Sequence, residues 1–329
     1  MSTFRSRTLV PLLAAVLGAL SPATYAGQGA PAVPAPADAT PPAAAPPVLK
    51  PVAGPSRQLA ELAERYYEEE ARFDPIGATY SGDNRFDDVL PMTIMPAVRA
   101  RRFAMLHDVR DSLGKIDRSK LAGTDLTSFD CLAYEVNTEL RFESLKDHLL
   151  PMNQLDSLPV ELANFGSGEG SQPIATVEQY NKYLKRISAL PQWTDAAIAN
   201  MRTGMKQGIV LPKALVLALI PQIKALAEAA PEKSAFTAPL RKLPAAFTPG
   251  EQARMKGGYL DAVRTRVLPS VRKLARFLET EYLPAARETA GWGALPDGAN
   301  WYRVWVADTV YSAEGGRLTK PKRPFASVA

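Results

Sequence analysis

The chain has 329 residues, 46% of them hydrophobic, which is enough for a sizeable core in one large domain or two ordinary ones. Its net charge of +5 is spread over interspersed acids and bases, a solvated surface that excludes a nucleic-acid stripe. The single cysteine, Cys131, excludes an intramolecular disulfide and the zinc sites built from several thiolates.

Residues 1–26 read as a signal peptide. Arg5 and Arg7 precede an apolar run over residues 9–20 that is too short to span a bilayer comfortably, and "SPATYA" then offers a small-residue cleavage site after Ala26. An uncleaved membrane anchor is the competing reading. Cleavage is favoured because the site abuts the apolar run and Pro11 and Pro22 bracket it. The expected product is periplasmic or secreted, with no stable membrane insertion. Residues 27–56 are almost all Ala, Pro and Gly and cannot offset their ordering entropy, so they read as a disordered, extended linker. A proline-rich ligand is the weaker alternative, since no PxxP there has consistent basic flanks.

A helical domain over residues 57–311 follows. In "SRQLAELAERYYEEEARF", Leu59, Leu62, Ala63, Tyr66 and Phe73 share a face, Ser56 is the expected N-cap, and Asp74-Pro75 stops the helix. The acidic run Glu68, Glu69, Glu70 is read as a solvated face. Val98, Met105, Val109, Leu113 and Ile116 then recur at helical spacing. A capping-box-like pair, Thr127 and Asp130, opens the segment carrying Phe129, Leu132, Val136 and Leu140.

Thr176 with Gln179 and Thr248 with Glu251 form further capping boxes, the second with Pro249 at the first helical position. Pro191 sits in the first turn of a helix that Gly208 can close. "LVLALI" (residues 215–220), bounded by Pro212 and Pro221, reads as a buried core segment rather than a membrane span. Val263, Val267, Val271, Leu274, Leu278 and Tyr282 carry one long stripe, with a kink expected at Pro269. No stretch alternates long enough for a sheet, so the expected fold class is all-α, a multi-helix array.

A search for chemistry finds little. His107 and His148 each adjoin an aspartate, Asp108 and Asp147, but neighbours on a helix do not face each other, so both are read as surface or helix-end histidines. No H-E-x-x-H pair exists. "NFGSGEGSQP" (residues 164–173) lacks the flanking pattern of a phosphate loop and reads as a flexible loop that can line a cleft. The residues therefore assign no catalytic, cofactor-binding or metal-binding side chain.

Three stretches, in order, resemble a large bacterial family, domain of unknown function 885: "FDPIGATYSGDNRFDD", "NMRTGMKQGIVLPKALV" and "VLPSVRKLARFLETEYLPAARETAGWGALPDGANWYRVWV". The resemblance runs from about Leu59 to Val306. It implies an exported, mainly helical protein similar to the N-terminal half of zinc-dependent oligopeptidases and carboxypeptidases. The family's H-E-x-x-P-G-H-type motif finds no match here, so zinc is expected only in a full-length member, along with a peptide substrate.

The familiar pattern is lost near residue 307, and residues 312–329 are an aperiodic tail with Arg317, Lys320, Lys322 and Arg323. The expectation is a chain cut short by a frameshift, premature stop or mis-called gene, inactive by itself. Two alternatives stand beside it. One is a non-catalytic module binding a peptide or protein partner around Trp292, Trp301 and Trp305. The other is association with a separately encoded C-terminal half.

Overall fold

The computed structural model describes residues 54–168 and 170–309. The signal peptide, nearly all of the linker and the basic tail lie outside the described residues.

Every regular element among the described residues is helical, as the periodicity predicts; the one β contact is an isolated bridge between Pro212 and Arg287. The main helices are α1 (Pro55–Phe73), α2 (Pro75–Tyr80), α3 (Pro96–Leu113), α4 (Gly123–Arg141), α5 (Leu158–Ser167), α6 (Val177–Ser188), α7 (Leu190–Gln207) and α8 (Lys213–Glu228). They are followed by α9 (Pro249–Ala262), α10 (Leu268–Phe277) and α11 (Gly298–Thr309). No helix among the described residues is long and apolar enough to cross a membrane.

The caps explain several boundaries. The boxes at Thr176/Gln179 and Thr248/Glu251 both form, and Gly208 closes α7 in the left-handed conformation at φ 69°. Ser56 is not a cap: α1 starts one residue earlier, at Pro55, whose fixed φ suits the first helical position. Thr127 is not a cap either. The helix begins at Gly123, at φ 55°, and the Thr127 hydroxyl donates to the Gly123 carbonyl inside the first turn.

The stripe from Val263 to Tyr282 is buried throughout. The interruption at Pro269 takes the form of a π turn, Val263–Val267, closed by the Leu268 N–H on the Val263 carbonyl. A second π turn, Leu278–Tyr282, precedes Pro284. Each proline lacks an N–H and its ring crowds the carbonyl four residues back, and the wider turn opens that space. Pro221 departs from expectation, since it lies inside α8 rather than ending it. It sits on the exposed face, where the carbonyl it leaves without a donor meets water. "LVLALI" is accordingly buried on one face only: Val216, Leu219 and Ile220 are buried, and Leu217 is 53% exposed.

Two cores result. One gathers Leu59, Leu62, Phe103, Leu106, Leu132, Val136 and Trp301 from α1, α3, α4 and α11. The larger gathers Leu162, Phe165, Tyr183, Trp193, Val216, Leu219, Val267 and Leu274 from α5 to α10. Leu150 packs against both, and the space between them is the candidate site.

Candidate functional site

A cavity of about 390 Å³ opens between the two cores, lined from one side by Tyr66, Phe103 and Trp301 and from the other by Ile76, Leu158, Trp193 and Leu211. That volume is in the range of small-molecule and peptide side-chain sites.

One wall is aromatic. Trp301 and Trp305 stand one turn apart on α11, and Trp292 lies across both, its ring 5.4 Å from Trp301 at 14° and 5.5 Å from Trp305 at 19°. Trp305 also meets Phe142 edge-on at 5.0 Å. The overlay requires a close backbone approach: a Cβ on Gly298, the first residue of α11, would stand 2.4 Å from the Trp292 carbonyl oxygen. Trp301 is buried and the other two rings are half-buried, so this shelf is part core and part surface of the cavity.

Another part of the lining is polar. Arg102 of α3 grips the Glu70 carboxylate of α1 through Nη2 at 2.6 Å and Nε at 3.0 Å, while its Nη1 lies 2.9 Å from Glu139 of α4. Glu135, one turn before Glu139, lines the same wall. Burial raises the Glu70 pKa, and the Arg102 charge opposes that shift. The Tyr66 hydroxyl is buried among these groups with no hydrogen-bond partner, and desolvation, then Glu70 and Glu135, push its pKa well up.

Beside them Arg99 lies 3.0 Å from Asp147 through Nη1, donates through Nη2 to the Phe142 and Leu145 carbonyls, and stacks on Phe103 at 4.5 Å. His148 follows. Its Nδ1 is buried without a partner, and desolvation, helped by Arg99, lowers its pKa below the ordinary 6.5, so the ring is neutral.

Several sequence readings change here. Glu70 is no solvated residue: the arginine facing it across the α1–α3 contact compensates its burial, and Glu68, half-buried, pairs with Arg85 at 2.6 Å. His148 is no surface histidine but a half-buried wall residue in the short 3₁₀ turn Asp147–Leu149. His107 is partly exposed and meets Glu143 at 2.7 Å, away from the cavity lining. The Gly-rich stretch does not line the cavity. Its first part is the end of α5 with Phe165 buried, and its Gln172 is buried, donating to the Asp87 carbonyl and accepting from Arg186.

Arg186 itself, fully buried on α6, also bonds Thr79 and the Phe86 carbonyl and lies 3.6 Å from Asp87. The signature stretch "FDPIGATYSGDNRFDD" is therefore an anchoring knot. Asp74 accepts from the Gly77 N–H so closely that a Cβ on Gly77 would meet the carboxylate at 2.2 Å, and Thr79 donates to Asp87 at 2.6 Å. Of the wall residues, sequence reasoning raised only the tryptophans as a groove. Glu70, Arg102, Glu139 and Tyr66 sit on three separate helices, and their helical spacing alone does not signal the cluster.

Among the described residues no three His, Cys, Asp or Glu side chains are placed to hold a metal together. The zinc implied for full-length relatives does not fit these residues, and no step through a metal is derived.

Comparison with known proteins follows the fold. A solved structure titled as the putative lipoprotein from Colwellia psychrerythraea superimposes with a TM-score of 0.65 at 17% identity, covering 78% of this chain and 46% of that one. This chain thus spans less than half the length of that neighbour, and the likeness speaks for the fold. No curated protein sequence matches. The family described as "Bacterial protein of unknown function (DUF885)" matches residues 75–314, most of the helical domain and both walls' later elements, and the chain belongs to that family.

Proposed function

We propose that the cavity is a peptide-binding cleft and that this chain is the helical, ligand-holding part of an exported, peptidase-like protein. The carrying observation is that the Trp292–Trp301–Trp305 shelf and the Glu70–Arg102–Glu139 cluster line one cavity. Flat apolar surface and fixed charges lining one cavity suit a chain that alternates side chains and polar backbone. Zinc and hydrolysis belong, in this reading, to residues outside those described, in longer members of the family. Export with cleavage after Ala26 is part of the same proposal, and N-terminal sequencing of the exported protein checks it.

The test is titration of the full chain with a library of short peptides, followed by tryptophan fluorescence. Micromolar binding that shifts the emission, and that weakens about tenfold in Trp305→Ala, is the expected result. A library in which nothing binds tighter than millimolar overturns the reading.

A second reading, association with further helical chain, is favoured by α8. Its outer face carries Ala214, Leu217, Ala218 and Pro221, all exposed, although a helix apolar all round is normally covered. Leu217→Lys is expected to abolish any self-association or co-purification seen by sedimentation, and unchanged association would remove this reading.

A further inference from the structure

Three residues that line the cavity each bury a polar side-chain atom with no hydrogen-bond partner among the described residues. The atoms are the Tyr66 hydroxyl, His148 Nδ1 and the side-chain carbonyl oxygen of Gln154. They come from separate places in the fold: α1, the 3₁₀ turn Asp147–Leu149 and the stretch before α5. Tyr66 is only 3% exposed. A buried polar atom without a partner costs free energy, and a ligand that supplies the partner recovers that cost on binding.

The segment that carries two of these atoms is held in place by its main chain. Residues 147–158 cross from the smaller core, where Leu149 is buried, to the larger, where Met152 and Leu158 are. Asn200 of α7 donates to the His148 carbonyl at 3.0 Å, and Gln222 of α8 donates to the Gln154 carbonyl at 3.0 Å. Between them the Asn153 side chain accepts from the Leu155 and Asp156 N–H groups. The crossing is fixed through its backbone while His148 Nδ1 and the Gln154 oxygen stay uncommitted, which is the arrangement of a preorganised binding strip.

All three groups are uncharged at neutral pH. The Tyr66 phenol keeps its proton because burial, then Glu70, pushes its pKa well up, and the His148 ring is neutral because burial lowers its pKa. The glutamine oxygen only accepts, the phenol donates and accepts, and the imidazole nitrogen does one or the other according to its tautomer. An ammonium brings donors only and a carboxylate acceptors only. A peptide amide brings one of each in a neutral unit that repeats along the chain. Resting on the peptide-cleft reading, we propose that Tyr66, His148 and Gln154 bind the main-chain amides of the ligand, Gln154 accepting from an amide N–H and Tyr66 donating to an amide carbonyl. The cleft then recognises uncharged peptide main chain.

The experiment uses the full chain and the neutral peptide acetyl-Ala-Phe-Leu-Ala-amide, with analogues in which each amide between two residues is replaced in turn by an ester. An ester removes the N–H and weakens the carbonyl as an acceptor. Affinities are read by tryptophan fluorescence and calorimetry. At least one ester analogue is expected to bind about tenfold more weakly than the parent, the equivalent of one lost hydrogen bond. That loss should shrink to about twofold or less in at least one of Gln154→Met and Tyr66→Phe. An undiminished loss in both variants places the hydrogen bond elsewhere and overturns the assignment. Parent binding with no loss for any ester overturns the main-chain site and leaves the peptide cleft standing. A parent that binds no tighter than millimolar overturns both. Stability supplies a readout that a merely structural tyrosine would fail. Removing a hydroxyl that has no partner should leave the denaturation midpoint of Tyr66→Phe at or above that of the wild type, and a clear fall would show the hydroxyl bonded within the fold and sink the proposal.

Discussion

The guanidinium of Arg102 and the carboxylate of Glu70 meet through two nitrogens, at 2.6 and 3.0 Å, with each side chain almost closed to solvent. The pair joins α1 to α3, and Glu139 extends it to α4, so three helices of the smaller core are tied at the cavity wall. Arg102→Ala leaves two carboxylates buried without their cation. The expected loss is about 3–5 kcal/mol of unfolding free energy, the range for breaking a buried pair from one side. Chemical denaturation checks it, and a loss below about 1 kcal/mol would show that the pair is solvated.

Arg186, which is not itself a lining residue of the cavity, poses a parallel case. It is completely buried, burial lowers its pKa to about 10, and Asp87 beside it is 1% exposed. Its bonds to Thr79, Gln172 and the Phe86 carbonyl tie the segment before α3 and the Gly-rich stretch to α6. Arg186→Met is expected to cost about 3 kcal/mol or more and to raise hydrogen exchange around Thr79 and Gln172 together. Exchange unchanged at either segment would separate it from the knot.

Gly298 carries the geometry of the tryptophan shelf. A methyl there meets the Trp292 carbonyl oxygen and the Gly293 backbone, neither of which can swing aside as a side chain does. Gly298→Ala is expected to cost about 1–3 kcal/mol and to move the near-ultraviolet tryptophan signal. Peptide affinity should fall with it. A variant with wild-type stability and an unchanged aromatic spectrum would contradict the close approach.

His148 gives a pH dependence of defined sign. Its folded pKa is depressed, by burial first and then by Arg99, against the pull of Asp147. The neutral ring is therefore favoured in the fold. The stability it contributes is present above its ordinary pKa of 6.5 and is lost as pH falls through the lower folded value. Denaturation midpoints compared between about pH 7 and about pH 5 should fall more for the wild type than for His148→Asn. Identical slopes would mean that the ring titrates as it does in the unfolded chain.

The helices themselves were legible because their signals are local. The Thr176 and Thr248 caps, the stop at Asp74 and the stripe from Val263 to Tyr282 depend on residues within a few positions of each other, and periodicity reports that directly. Where local signals failed, a neighbour decided the matter. Pro221, expected to bound its segment, stays within α8 on an exposed face, while the interruption expected at Pro269 takes the form of a π turn.

The sequence by itself determined an all-helical fold class, the Thr176 and Thr248 caps and the stripe from Val263 to Tyr282, since each follows from spacing along one helix. Only the tertiary structure decided that Glu70 is buried, that His148 lines a cavity, and that the Gly-rich stretch is anchored by Arg186. Arg102 meets Glu70 from 32 positions away and Arg186 meets Gln172 and Thr79 from separate elements. A charge reads as solvated until its counter-charge is located in space. That location is fixed by how the helices pack, which no spacing within a single helix encodes.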